Sequence, residues 1–496
     1  MEGTREGPAG FVSPGEAALL EEDVQRSYKI PTPPLRRSSS DLWFLSYLPI
    51  ALSDGLATPL IPLLAIAEYG LYHNAFFVTA IIAASTIFEV PCMILWGNLS
   101  DRVRHRKWFL VASFAATGSL LILMAFPMSI GDYFLLNLAE GVASAAAAPI
   151  GTVLLLETRN KRWWSRDLGL FGLISGVGAV LGLALGSVWF LVSTPHTLAT
   201  SFSSSAAQNG MRWLLGTSGV LALGGAATAL AWVEEPHALL SRAKLAEMGI
   251  RDRGVIERFR RTRRRVLHIV DLTKGVPGTL PRGETAFLAA LLVMSIGFQV
   301  FYGPLPVFLT SDHASHGAQL AQSGIFLVYL ASAGFATGLF YHSGLAVEYG
   351  NPKKVFLLSL AVRALIIPCF FFVPVFLGGS YYGLRIALIL LNGAMGVSWA
   401  FLSTASTLFL LRLVHGRSRG KALGWYNALA GLGGLAGTLW GGILYDAVGA
   451  EDTFFAAALI VVIGMLMLVP IRFHQSPYEP RPPVPSRRRS KRSSAA

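Results

Sequence analysis

Charge is what this 496-residue chain has least of, with 14% of its residues Asp, Glu, Lys or Arg against 53% hydrophobic. With a mean hydropathy of +0.54, it has too little polar surface to cover a soluble fold, which excludes an ordinary soluble enzyme or binding domain. Cysteine is nearly missing. Cys92 and Cys369 both lie in apolar sequence without ligand spacing, so neither a disulfide framework nor a metal site organises the chain. No cofactor is called for. A G-x-x-x-x-G-K-[ST] loop to cradle nucleotide phosphates is absent, which leaves a solute or proton gradient as the energy source for any work the protein does. No cleavable leader is expected, because residues 1–41 are polar and rich in Pro and Ser, so the first long apolar run would serve as the insertion signal.

What is present is apolar sequence in long runs. About 20 helical residues cross a hydrocarbon core of roughly 30 Å, and runs of that length fall near 42–67, 74–98, 108–127, 131–157, 166–193 and 211–233. Six more fall near 285–310, 317–345, 354–377, 383–413, 419–446 and 451–471. The expected architecture is an all-α membrane protein of twelve segments. Of 41 Lys and Arg residues, 38 fall before segment one, after every even-numbered segment or in the tail; Arg212, Arg363 and Arg385 are the other three. Basic residues resist translocation, so both termini are expected in the cytoplasm of a cell whose plasma membrane the chain spans. The formal charge of +13 is then a topology signal, and no nucleic-acid partner is expected.

The segments repeat. Leu136-Asn137, Gly141, Leu168-Gly169 and the series Gly178, Gly182, Gly186 recur 255 residues later as Leu391-Asn392, Gly396, Leu423-Gly424 and Gly433, Gly437, Gly441. Ala84-Ser85 recurs 247 residues later as Ala331-Ser332. The expected organisation is two related six-helix bundles, 42–233 and 285–471, with a cytoplasmic N-terminus (1–41), a basic linker (234–284) and a basic tail (472–496). Arg258, Arg260, Arg261 and Arg263 to Arg265 alternate with apolar residues in the linker, which suits a helix lying under the membrane. Linker and tail could rest on anionic lipid or simply be solvated determinants of topology. Paired repeats are also how many carriers build a solute site at the bilayer midplane. Glycine at every fourth position gives segments five and eleven one smooth face for close, rocking contact.

The loop after segment two reads Gly97-Asn98-Leu99-Ser100-Asp101-Arg102-Val103-Arg104-His105-Arg106-Lys107. It resembles the G-x-x-x-D-R-x-G-R-R-K signature of the major facilitator superfamily, with Arg104 at the second glycine. The resemblance covers about 42–471 and implies that family's fold of two six-helix bundles. It also implies that Asp101 sits on the N-terminal end of segment eleven near Gly420, and that Arg102 reaches Glu157, so that the two latch the cytoplasmic side shut. The family's antiporter signature G-x-x-x-G-P-x-x-G-G resembles the glycine series, but Leu183 and Thr438 stand at the proline. Its segment-four arginine is replaced by Asn137.

Charges inside the segments are costly unless they face a partner or a cavity. Asp54 lies near the middle of segment one, just before Pro59 and Pro62, and its repeat counterpart is Gln299. The family resemblance puts segments one, four, seven and ten around the central cavity, which makes Asp54, Asn137, Gln299 and Asn392 the expected solute site. Asp54, Glu89 and Glu140 are the proton-carrying candidates, since burial favours a neutral carboxyl. Arg363, Trp399, Trp425 and Tyr426 could face the cavity or simply pack.

The expected function is secondary transport of a small organic solute by a monomer, with proton-coupled efflux of amphiphilic compounds ahead of uptake or facilitated diffusion of a polar nutrient. A non-transporting sensor or scaffold of the same fold stays open. An enzyme is not expected, because its best cluster is Asp312, His313 and His316 in one loop.

Overall fold

Wound as helix, an apolar segment satisfies its own backbone N–H and C=O groups, which lets it cross hydrocarbon. The structure, a computed structural model, describes residues 43–103, 105–158, 164–193, 204–233, 282–311, 317–413 and 419–471. Residues 1–41, nearly all of the basic linker, Trp163, the loop with His313 and His316, and the 472–496 tail lie outside the described residues.

Among these residues the first half consists of α1 (Tyr47–Tyr69), α2 (Ala75–Val103), α3 (Arg106–Met124), α4 (Ile130–Ser144), α5 (Ala147–Thr158), α6 (Trp164–Ser193) and α7 (Ser205–Trp232). The second consists of α8 (Arg282–Tyr302), α9 (Leu305–Thr310), α10 (Gln322–Tyr349), α11 (Pro352–Leu377), α12 (Tyr381–Leu413) and α13 (Arg419–Leu468). Among the described residues eleven stretches are long and apolar enough to cross a membrane, the last of them Gly424–Leu468 with 45 residues. That is about twice the length one crossing needs. Within it Gly449 is non-helical at φ 83° and ψ −179°, a conformation that glycine holds without a Cβ clash. α13 is therefore segments eleven and twelve folded back on each other, and the crossings number twelve. Both arms pack on α8: Gly433, Gly437 and Gly441 approach the Leu292, Ile296 and Val300 carbonyls, and Gly464 meets Met294.

Two segments are broken by proline, which cannot donate to the carbonyl four residues back. Pro304 separates α8 from α9, and Pro149 sits in the first turn of α5, just after the α4–α5 break. Near that second break three carbonyls take side-chain donors instead: Trp96 Nε1 donates to Val142 O (2.9 Å), Ser113 Oγ to Ala143 O (2.6 Å) and Tyr47 O–H to Ala147 O (2.8 Å). Irregular backbone at membrane depth needs such partners. The donors come from α2, α3 and α1, so the break ties all three to segment four.

The repeat seen in the sequence is a repeat of contacts. Asn137 Nδ2 donates to Ile81 O, and Asn392 Nδ2 donates to Val328 O at 2.7 Å. A Cβ on Gly141 would strike the Ser85 carbonyl, and one on Gly396 the Ser332 carbonyl. Each asparagine–glycine pair seats segment four or ten against segment two or eight. Gly178 and Gly182 likewise seat α6 on α1 at Leu48, Ala51 and Leu52.

The halves meet along two seams, α6 on α10 and α2 on α13. Gly176 faces Thr337, Gly186 faces Phe326, and Ser187 Oγ donates to Ser323 O at 3.3 Å. On the other seam Gly442 faces Thr79, and both carboxylate oxygens of Asp446 accept from the N-terminal turn of α2. At the membrane face poor in Lys and Arg, Ser311 Oγ also donates to Tyr72 O at 3.2 Å, so the halves touch there across three sets of elements.

Candidate functional site

α1 is buried along nearly its whole length. Its two exposed side chains, Asp54 and Thr58, lie one turn apart on one face, so a space opens beside that face. The space is a cavity of ≈ 390 Å³ walled by α1, α2, α3, α4 and α5. Asp54, Glu89, Glu140 and Asn137 line it, and among the described residues no Lys, Arg or His does. Ser113, Thr117 and Ser144 add hydroxyls; Ile50, Ile61, Ile82, Met93, Phe114 and Leu121 make the rest apolar.

Local sequence explains the arrangement. Pro59 and Pro62 remove two backbone donors from the C-terminal half of α1, and Thr58 Oγ1 turns back to the Asp54 carbonyl at 2.7 Å. The close seat of Gly141 on α2 brings Glu140 alongside Glu89, and Ser144 follows one turn later, its Oγ donating to the Gly141 carbonyl at 3.4 Å. The three carboxyls lie within electrostatic range of one another. Among the described residues no set of His, Cys, Asp and Glu is close enough to hold a metal ion.

The structure thus brings Asp54, Asn137, Glu89 and Glu140 into one cavity. Gln299 and Asn392 do not join it. Gln299 packs its methylenes against Gly434 and Gly437, and Asn392 is buried against the Val328 carbonyl in the second half. Asn137 makes the same backbone contact as Asn392 while also lining the cavity.

The sequence profile of the Major Facilitator Superfamily matches residues 43–343 and 288–495, two spans whose starts lie 245 residues apart (288 minus 43). The chain belongs to the Major Facilitator Superfamily. Among solved structures it is similar to a point mutant of the nucleoside transporter NupG, at TM-score 0.61 and 16% identity over 86% of this chain and 97% of that one. A D-xylose–proton symporter is similar at TM-score 0.61 and 13% identity, over 86% and 97% of the two chains. The xylose transporter XylE from E. coli, in an inward-open conformation, is similar at TM-score 0.60 and 12% identity over 86% and 94%. At these identities the likeness is one of fold. Among curated proteins no sequence matches the chain.

As a superfamily member the protein is a multi-pass membrane transporter, a family that is not enzymatic. Of its loop motif, α2 runs on through Gly97, Asp101 and Arg102, and Arg106 is buried at the start of α3. The side chains of Asp101, Arg102 and Glu157 lie outside the described residues. Arg363 is 2% exposed, and among the described residues no carboxylate pairs with it. Its Nε donates to Ser398 Oγ (3.0 Å) and its Nη2 to Met395 O (3.2 Å), under the rings of Phe298, Trp399 and Tyr302 at 4.8, 5.2 and 5.8 Å. It is a brace between α11, α12 and α8. Tyr426 likewise packs, sharing a hydrogen bond with Ser406 at 2.8 Å.

Two features of the site were not singled out from the sequence. α3 forms part of the wall, and the polar pair Ser113 and Thr117, one turn apart in an apolar segment, was the available signal. Asp446 was the other, a lone carboxylate at the end of a glycine-faced helix.

Proposed function

We propose that the protein is a secondary active transporter that moves a small organic solute by alternating access, and that it exports amphiphilic compounds against a proton gradient. The observation that carries this is the cavity beside α1, which combines three carboxyls that no described basic residue neutralises with apolar walls in one half of a repeat-built, glycine-seamed bundle. An unpaired carboxylate at membrane depth is relieved either by a proton or by a charge on the solute. Asp54, Glu89 and Glu140 are therefore the coupling groups, and Asn137 contacts the solute. Gln299 and Asn392 are proposed to meet it from the second half when the halves rock together.

The termini and linker lie in the cytoplasm of a plasma-membrane protein, so the face poor in Lys and Arg is the outer one. Its closed contacts then leave the solute to enter from the cytoplasm in this state. Asp101, through the start of segment eleven, and Arg102, through Glu157, latch the cytoplasmic face in the opposite state. The protein works as a monomer, with anionic lipid beneath its basic linker and tail.

Reconstitution into proteoliposomes tests this reading. With an imposed proton gradient, wild-type protein is expected to accumulate at least one amphiphilic solute from a labelled panel, and collapse of the gradient should abolish accumulation. Gradient-driven accumulation of polar nutrients alone would favour uptake. No flux of any solute would favour a sensor or scaffold.

A further inference from the structure

The cavity has a chemistry narrower than "amphiphilic". Its acids come from three helices, Asp54 on α1, Glu89 on α2 and Glu140 on α4, while the described wall residues of α3 and α5 carry no titratable group. A carboxylate at membrane depth needs a counter-charge, and in most sites the protein supplies one. Here the described lining residues supply none. Arg363, a cation of the second half, is buried and already bonded within its own bundle.

Asn137 is an independent pointer. Its side chain is 2% exposed, its Nδ2 is used on Ile81 O, and its Oδ1 is buried with no hydrogen-bond partner among the described residues. A buried acceptor left without a donor is costly. Asn137 is itself part of the cavity wall, so a solute bearing N–H donors there would satisfy it.

The absence of a metal-holding set among the described residues separates the remaining cations. A wall that is apolar beside its acids suits a cation carrying a hydrocarbon body better than a bare inorganic ion. The ≈ 390 Å³ volume falls in the range of about 300–1,000 Å³ that small-molecule sites occupy.

We infer that the cavity between α1, α2, α3, α4 and α5 binds a protonated organic amine, its ammonium group among Asp54, Glu89, Glu140 and the Asn137 Oδ1 and its apolar body against Ile50, Met93 and Phe114. The inference rests on the reading above that this cavity holds the solute. Binding is a competition: the ammonium ion enters with its own protons, and a carboxyl proton leaves to the cavity water. Solute and proton thus exclude each other at one group, which is the coupling an exchanger requires.

The test uses purified full-length protein and phenethylammonium, which stays charged across about pH 5.5 to 8 because alkylammonium ions titrate near 10. Calorimetry should show binding that releases about one proton per ligand and weakens about tenfold per pH unit on the acid side. Neither the neutral 2-phenylethanol nor the anion 3-phenylpropionate should compete. Glu140→Gln and Asp54→Asn should lose most of the affinity and the proton release while keeping a sharp thermal transition; if a variant does not fold, the proton count on wild-type protein still decides. Binding of the alcohol as tight as that of the ammonium, or ammonium binding without proton release, or no ammonium binding to folded protein, overturns the inference. Each of those results leaves the transporter reading standing so long as the vesicles still accumulate some solute. Ammonium binding with proton release but no flux in vesicles would instead uphold this site and refute the transporter.

Discussion

Asp446 at the end of segment eleven holds the Ala75 N–H, in the first turn of α2, on its Oδ1 at 2.7 Å, while its Oδ2 takes the Phe76 N–H at 2.9 Å. The first N–H groups of a helix have no partner within it and carry its positive end, so a carboxylate from the other half caps α2 as a Ser or Asp at the helix's own N-cap normally would. Thr79 under Gly442 keeps the two helices near enough for this contact. The family resemblance places Asp101 of α2 on the start of segment eleven at the opposite face, so the same two helices would clasp each other at both ends.

Asp446→Ala should therefore loosen closure at the face poor in basic residues. Two charge-assisted bonds to backbone are worth about 1–3 kcal/mol together, enough to shift a two-state equilibrium by roughly five- to a hundredfold. Spin-label distances between residues introduced at Tyr72 and Val448 should lengthen in the variant, and Asp446→Asn, which keeps one acceptor, should fall between the two. Unchanged distances in the Ala variant would mean that the contact does not hold this face shut.

Glycines divide into those under contact and those in the open. Gly141→Ala would drive a Cβ into the Ser85 carbonyl, a backbone atom that cannot swing aside, and should cost about 1–3 kcal/mol. Gly172 in α6 has nothing within 4 Å of where its Cβ would be. Gly172→Ala should be neutral or stabilise by up to about 1 kcal/mol through helix propensity. Melting temperatures in detergent that moved alike for the two would contradict the packing described for α4 on α2.

Arg363→Lys keeps the charge and gives up the planar fork and most of the stacking on Phe298 and Trp399. A loss of about 1–2 kcal/mol in stability is expected, with solute affinity unaltered because the side chain braces helices within the second half. A changed affinity with unchanged stability would place Arg363 in the solute path.

Much of the fold was legible because a membrane leaves few choices. Apolar length sets the number of crossings, and the recurrence of Asn137 as Asn392 and Gly141 as Gly396 showed two halves before their contacts were known. Asp54 stood out because an acid amid apolar sequence needs a reason. The roles of the asparagines were less legible. Composition cannot tell an amide aimed at a solute from one aimed at a neighbouring carbonyl, and Asn392 does the latter while Asn137 does so and still lines the cavity. The break in segment four had its signal in Pro149, but the donors that make it tolerable, Trp96, Ser113 and Tyr47, come from three other helices. No sequence period reports such contacts.

Asp54→Asn offers the most direct test of coupling at the cavity, since it removes the charge and the titration while preserving size and hydrogen bonding. In proteoliposomes, accumulation of a solute that the wild-type protein concentrates with a proton gradient should fall to the equilibrium level in this variant, with the melting temperature intact. Downhill exchange should persist if Asp54 carries only the proton, and should vanish as well if it also holds the solute. Full gradient-driven accumulation by Asp54→Asn would contradict the central role given to this carboxyl.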